Sequence, residues 1–379
     1  MSTSETVIVG AGPTGLSCGI GLLQQGRTVT VIDDRISHDP TSRAAVVHAY
    51  TLERLQTLQV TEQLVDLGLK INTLTLRDRD RLLLGIDFTG LPTAFPYLLM
   101  VPQSTTERVL LDRFTELGGT VLRPRRVDHT EQDADTVTAV LDDGNRLDAQ
   151  YLIGADGMHS TVREQNGIGF VGGSYPESFT LADVRLSGGI PTGEVILYFS
   201  PAGMLVVAPL PDGLFRIVAT VDRAPQDPDI AFVQRLLDSR GPKRHPARVE
   251  EIRWGSRFRI EHRIAERYRS GRILLAGDAA HVHSPAGGQG MNAGITDAVL
   301  LAEDLGAVLS GAPVSRLDDY QQQRRPVAEQ VVGLADRLTR LANVDSGRRG
   351  IRNAGLALAG HLPPVRHRLA LQLSGLSYR

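Results

Sequence analysis

The stretch whose reading decides the fold is residues 6–34, TVIVGAGPTGLSCGIGLLQQGRTVTVIDD. Thr6–Val9 is a short apolar run of β character. Leu16, Ile20 and Leu23 then recur at helical spacing, and a second β run follows at Thr28–Ile32. Gly10, Gly12 and Gly15 stand between the first strand and the helix, so the GxGxxG pattern sits in the βαβ context that gives it meaning. The first glycine permits the tight turn, the second lets a pyrophosphate approach bare backbone, and the third lets the helix pack closely on the strand. Pro13 and Thr14 open the helix, whose unpaired N–H groups favour an anion. Asp33 closes the second strand, with Asp34 and Arg35 beside it. An acid at that position hydrogen-bonds ribose hydroxyls and repels a 2′-phosphate, so the unit is expected to hold the AMP half of FAD or NAD rather than NADP.

The totals of this 379-residue chain narrow the classes further. Its composition is globular, with 41% hydrophobic and 22% charged residues, and it is long enough for about two domains. A net charge of −2 gives no electrostatic footprint for nucleic acid or an anionic membrane. Cys18, the single cysteine, rules out an internal disulfide or a CxxC centre, and inside the first helix it reads as an inert buried thiol. The apolar runs fall short of the roughly eighteen residues that span a bilayer. The N-terminus reaches a strand at once, leaving no room for a signal peptide, so the expectation is a cytoplasmic protein.

Further along, 51–68 and 104–118 read as helices that each end in glycine, and YLIGADG (151–157) as a buried strand running into a glycine turn. From about 176 to 262 the character changes to strands, EVILYF, MLVVAPL and LFRIVATV, with a hairpin signal at Pro211-Asp212-Gly213. RILLAGD (272–278) returns to a buried strand, and GDAAHVHSPAGGQGMNAG (277–294) follows it. His281 and His283 in that loop lack a third ligand, so no metal site is expected. Val327, Val331, Leu334, Leu338 and Leu341 form an apolar helical stripe, and the last thirty residues read as a short helical tail. Three glycine-tipped strand ends, far apart in sequence, suit a cofactor contacted along its whole length.

These motifs together, VIVGAGPTGL, SRAAVVHAYTLERL, PQSTTERVLL, GADGMHSTVR and GRILLAGDAAHVHSPAGGQGMNAGITDAVLLAEDL, resemble the group A flavoprotein aromatic monooxygenases over residues 5–345. The likeness is to the 4-hydroxybenzoate hydroxylase-like enzymes of phenol and polyketide hydroxylase type, without the thioredoxin-like C-terminal domain that larger relatives carry. It implies an α/β fold: a Rossmann-like FAD-binding domain on a parallel sheet, an inserted antiparallel-sheet substrate domain, and C-terminal helices. The expected boundaries are 1–72, 98–175 and 265–345 for the discontinuous FAD-binding domain, 73–97 and 176–264 for the substrate domain, and 346–379 for the tail.

By the same resemblance, Gly10, Gly12, Gly15 and Asp33 hold the ADP half of FAD. Arg43 lies along the phosphate–ribityl region, Gln103 also reaches the cofactor, and Asp156 and Gly157 form the Asp-Gly motif implicated in FAD and NAD(P)H binding. Asp278, after Gly277, hydrogen-bonds a ribityl hydroxyl. Pro285, Gly287, Gly288, Gln289, Gly290, Met291 and Asn292 lie along the isoalloxazine, Pro285 and Gly288 near its reactive edge. Arg163 anchors the Asp-Gly turn, while Glu107 and Arg108 read as a solvated helix face.

The implied reaction is hydroxylation of an aromatic or polyketide-like small molecule. NADPH or NADH reduces FAD, and O₂ then forms a flavin C4a-hydroperoxide that transfers oxygen. There is no second GxGxxG, so the nicotinamide is expected to bind transiently, and Asp33 does not choose between its two forms. Tyr97, Met100, Tyr198, Met204 and Pro209 are candidates for the substrate pocket, with His48 and His283 as guesses for a base. A halogenase is disfavoured because Trp254 is the single tryptophan. A reductase or epoxidase on the same scaffold, or a non-catalytic FAD-binding subunit, stays open. The sequence sets no oligomeric state.

Overall fold

The structure is a computed structural model, and it describes residues 4–36, 44–285, 287–342, 344 and 346–379. Its first layer is a six-stranded sheet in the order Arg269–Ser270, Ile273–Leu275, Tyr151–Gly154, Thr6–Val9, Val29–Ile32, Thr120–Leu122. All neighbours run parallel except the 269–270 edge. Thr6–Val9 is central, pairing with Val29–Ile32 on one side and Tyr151–Gly154 on the other. The chain therefore leaves the first strand in one direction and later returns on the opposite side. Such a switch point opens a crevice at the carboxyl ends of the strands, where open α/β sheets bind ligands. Gly10, Asp33, Asp156 and Asp278 all follow those carboxyl ends, which explains why the glycine-tipped segments are so far apart in sequence.

Helix Pro13–Gln24 packs on this sheet and against Gly290–Leu309, burying Leu16, Cys18, Ile20 and Leu22. Gly15 makes that approach possible, because a Cβ there would lie 1.9 Å from the Gly10 carbonyl oxygen. The Cys18 thiol is fully buried, and burial drives its pKa far above the usual range, in keeping with an inert core residue.

The second layer is an eight-stranded sheet in the order His281–Val282, Ala247–Ala265, Phe170–Gly188, Leu214–Val221, Gly203–Pro209, Glu194–Ser200, Thr73–Asp78, Arg81–Asp87. It is antiparallel apart from the pairing of Thr73–Asp78 with Glu194–Ser200. Successive side chains of a strand face opposite sides, and the two faces bury different cores. Ile196, Tyr198, Leu205 and Val207 point to the back, where helix Ile230–Arg240 covers them with Val233 and Leu237. That helix starts on Asp229, whose carboxylate accepts the Phe232 N–H at 2.7 Å. Val195, Leu197, Met204 and Ala208 point to the front, toward the first sheet's crevice.

Helices Arg316–Ala342, Arg349–Gly360 and Pro363–Leu373 close the front face beyond strand Arg81–Asp87. Ala370, Leu373 and Leu376 are buried in the same core as the front-facing strand residues. Among the described residues no helix is long and apolar enough to cross a membrane.

Candidate active site

One cavity of about 880 Å³ runs from the GxGxxG turn to the front face of the eight-stranded sheet. Its first end is lined by Gly10, Gly12, Pro13, Thr14, Asp33, Asp34 and Arg35. Gly10 has φ +104°, and a Cβ there would lie 2.3 Å from the Ala155 carbonyl oxygen, so only glycine closes this turn. A Cβ at Gly12 would meet nothing within 4 Å: its bare backbone faces open cavity, as contact with a pyrophosphate requires. Asp33 is 3% exposed and accepts the Ala11 N–H at 2.7 Å and the Arg35 N–H at 2.9 Å. Burial alone raises its pKa. The hydrogen bonds from Arg35 and Ala11, with the charge of Arg35, outweigh that and hold the carboxyl below its usual range. The acid is thus fixed in place and ionised beside the glycine turn.

The middle of the cavity is lined by Gln103, Asp156, Gly157 and Asp278. Gln103 starts helix Gln103–Glu116; its Oε1 accepts the Ala44 N–H at 3.4 Å and its Nε2 donates to Glu107 Oε1 at 2.8 Å. Glu107 corrects the sequence reading: it is 1% exposed and lies in the cavity wall, not on a solvated face. Asp156 accepts the Ser160 hydroxyl at 2.5 Å and the Val162 N–H at 3.1 Å, which fixes the turn after strand Tyr151–Gly154. Burial raises the Asp156 pKa, only partly offset by those hydrogen bonds. Arg163 ties the same turn down through the Met158 and Ala279 carbonyls. Arg43 lies outside the described residues.

The far end carries Pro285, Gly287, Gly288, Gly290 and Met291, where helix Gly290–Leu309 points its N-terminus at the cavity. Four expected contact residues stand behind the wall rather than in it. Gly15 packs on Gly10, and Gly277 is buried with its Cα side against Thr14. Asn292 staples the loop from behind: Oδ1 accepts the His48 N–H at 2.8 Å, and Nδ2 donates to the Val46 and Gly288 carbonyls at 2.9 and 2.8 Å. Gln289 turns away from the cavity and donates to the Leu373 carbonyl at 3.1 Å.

Two imidazoles share this end. His48 Nε2 faces the Gly287 and Gly288 carbonyls at 3.0 and 3.2 Å, and His283 Nδ1 faces the Ser284 carbonyl at 2.8 Å. Those nitrogens therefore carry the protons. His48 Nδ1 and His283 Nε2 are left as buried acceptors with no protein partner. Burial pushes both pKa values down to about 4, so both rings are neutral at pH 7. His281 has a different task. Its Nε2 meets Asp297 Oδ2 at 2.5 Å, and Arg324 Nε donates to Asp297 Oδ1 at 2.6 Å, all three side chains buried.

Of the pocket candidates, Met100 and Met204 line the cavity. Tyr198 and Pro209 do not, for a reason of strand parity. Leu197 pairs with Val206 and both face the cavity, whereas Tyr198 pairs with Leu205 and both enter the back core. Pro209 pairs with Phe215, likewise a back-core residue. Tyr97 packs beside Phe95 and under the Lys70 ammonium, off the cavity wall. Arg216 was not anticipated. It sits between back-facing Phe215 and Ile217, lines the cavity, grips Asp183 with two bonds of 2.7 Å and donates to the Ala44 carbonyl at 2.9 Å. A charge at a front-facing position of an otherwise apolar strand was the available signal.

Comparison with known proteins agrees with this geometry. Residues 3–335 match the FAD binding domain family. Over 99% of its length the chain is 36% identical to the 12-dehydrotetracycline 5-monooxygenase/anhydrotetracycline 6-monooxygenase of Streptomyces rimosus, covering 77% of that protein. It is similar to the solved p-nitrophenol 4-monooxygenase of Pseudomonas putida DLL-E4, with TM-score 0.87 and 26% identity over 99% of this chain and 98% of that one. It is also similar to aklavinone-11 hydroxylase, solved in a ternary complex with FAD and aklavinone, with TM-score 0.77 and 29% identity over 90% of this chain and 69% of that one. A glycine turn open to a long cavity, a fixed acid beside it and these similarities have one reading: the chain belongs to the FAD binding domain family, as one of its FAD-dependent aromatic monooxygenases.

Proposed function

We propose that this monooxygenase consumes NADPH or NADH and O₂ to hydroxylate an apolar aromatic or polyketide-like small molecule. The observation that carries the proposal is the continuity of the cavity, which joins the dinucleotide fingerprint to a chamber walled by front-facing residues such as Leu74, Leu197, Met204 and Phe258. Bound FAD supplies electron acceptance from the nicotinamide and activation of O₂ for transfer of one oxygen atom.

The chain's own residues bind, orient and keep out water. Gly10, Gly12 and the N-terminus of helix Pro13–Gln24 take the pyrophosphate, Asp33 accepts from the ribose, and Asp278 and Gln103 reach the ribityl stretch. Gly287, Gly288 and the N-terminus of helix Gly290–Leu309 face the flavin ring, where a helix dipole favours negative charge. His48 Nε2 on the Gly287 and Gly288 carbonyls and His283 Nδ1 on the Ser284 carbonyl hold the loop in place, and as neutral rings they add no competing charge beside the chamber. The aliphatic wall excludes the water that would divert reducing equivalents to peroxide.

The test is turnover by the purified flavin-loaded protein with a panel of phenols and polyketide-derived phenols under isotopically labelled O₂. The proposal expects ring-stimulated NAD(P)H oxidation and one labelled oxygen in the product. NAD(P)H oxidation that no ring compound accelerates, with unlabelled rings recovered, would overturn it.

A further inference from the structure

The chamber has a wall that no cofactor motif accounts for. Leu334, Leu338 and Leu341 come to it from helix Arg316–Ala342, Leu356 from Arg349–Gly360, and Leu369 and Leu373 from Pro363–Leu373. The first three fall at i, i+4 and i+7, one face of a helix turned to the cavity. All six are leucines, so this side offers shape and apolar area and nothing for a charge.

The wall is clipped at both ends. On the sheet side, buried Arg352 donates to the Phe199 carbonyl at 3.0 Å and the Leu341 carbonyl at 3.1 Å, while Asn353 Nδ2 donates to Asp78 Oδ2 at 2.7 Å. On the flavin side, Gln289 donates to the Leu373 carbonyl at 3.1 Å, and the Tyr50 N–H donates to the Ser374 carbonyl at 3.1 Å. The flavin-facing loop runs close beside the wall, near enough that a Cβ at Gly287 would lie 3.6 Å from both Leu338 Cδ1 and Leu373 Cδ2.

We propose that the C-terminal segment 349–373 is the specificity-determining wall of the substrate chamber, with Leu356, Leu369 and Leu373 setting how large a fused-ring system fits and Gln289 as the positioning residue that locks this wall to the flavin-facing loop. The inference rests on the reading that the chamber takes an apolar ring compound. An aliphatic wall discriminates by volume, and filling or emptying it by one side chain shifts relative affinities by roughly ten- to a hundredfold.

The experiment is equilibrium dialysis of the FAD-loaded protein against phenol, 1-naphthol and anthrone, which needs no turnover. Leu369→Trp is expected to weaken anthrone relative to phenol by roughly tenfold or more, and Leu369→Ala to shift the ratio the opposite way. Gln289→Leu is expected to weaken anthrone several-fold with FAD content unchanged, an effect that loss of fold alone does not produce. Leu358→Trp, on a side chain 65% exposed on the outer face of the same segment, serves as the control and leaves the ratio alone.

If Leu369→Trp does not fold, Leu369→Ala decides. Ratios within twofold of the parent for both variants, an equal shift in Leu358→Trp, or a parent protein that binds none of the three rings would each overturn the inference. Altered ring ratios in a protein that never incorporates labelled oxygen would sink the proposed reaction while leaving this wall in place.

Discussion

The two ends of the cavity are built of different material. At the fingerprint end bare backbone at Gly10 and Gly12 opens on the cavity beside one fixed acid, Asp33. At the chamber end it is side chains, drawn from the front faces of six strands of the eight-stranded sheet and from three C-terminal helices. Bare backbone demands glycine at fixed spacing, which a sequence displays. A side-chain wall demands only that apolar residues face one way, and many sequences satisfy that. The difference predicts how each end fails: abruptly at the first, gradually at the second.

The largest effect belongs to the backbone end. Gly10→Val puts a branched side chain at φ +104° with its Cβ 2.3 Å from the Ala155 carbonyl oxygen. The purified variant is expected to carry no flavin, read as loss of the visible absorbance per chain; a fully yellow variant would break the comparison.

Next comes the buried triad of His281, Asp297 and Arg324, which joins strand His281–Val282 to helices Gly290–Leu309 and Arg316–Ala342. Asp297→Ala leaves His281 and Arg324 buried without their shared carboxylate. Removing one partner of a buried ion pair costs about 3–5 kcal/mol, measurable by denaturant unfolding.

A pH effect of similar size follows from His48. In the unfolded chain its imidazole takes a proton near 6.5, whereas burial in the folded protein lowers that to about 4. The unfolded state therefore binds more protons between these values. Stability is level above pH 6.5, falls as pH drops toward 4, and is level again below it, by about 3 kcal/mol in all. His283 contributes with the same sign. His48→Asn is expected to flatten the slope of apoprotein stability over that window; an unchanged slope would remove the buried neutral imidazole from the account.

The smallest effects sharpen the chamber end. Leu197→Ala is expected to raise KM for a ring substrate several-fold, roughly the worth of a lost apolar contact. Tyr198→Phe, one residue on but facing the back core, is expected to stay within about twofold. Equal effects from the two would contradict the strand parity.

That parity also marks the limit of what the sequence displayed. The βαβ unit and the glycine-tipped strand ends were legible because turns, close approach and strand-to-helix periodicity are local. Tyr198 and Pro209 lie on strands whose sequence alone leaves the facing side open. Which face each occupies depends on the pairing of Tyr198 with Leu205 and of Pro209 with Phe215, a non-local register. Glu107 illustrates a missed local signal: it stands four residues after Gln103 on one helix, the spacing at which side chains meet, and an acid bonded to a cavity-lining amide is a poor candidate for solvent. The leucines of 349–373 gave no such signal, because their helical spacing looks the same whether they cover a core or a ligand. Gln289 lies inside the glycine-rich motif, yet its side chain turns from the cavity to the Leu373 carbonyl.

The central claim is that flavin and ring substrate meet inside this one cavity. A crystal structure of the protein with FAD and a bound hydroxylated ring compound tests it most directly. The account predicts the isoalloxazine against the Gly287–Gly288 backbone, and the ring between it and the wall formed by Leu197, Met204 and Leu369. A flavin seated elsewhere, or a ring bound on the Tyr198 side of the sheet, would contradict it.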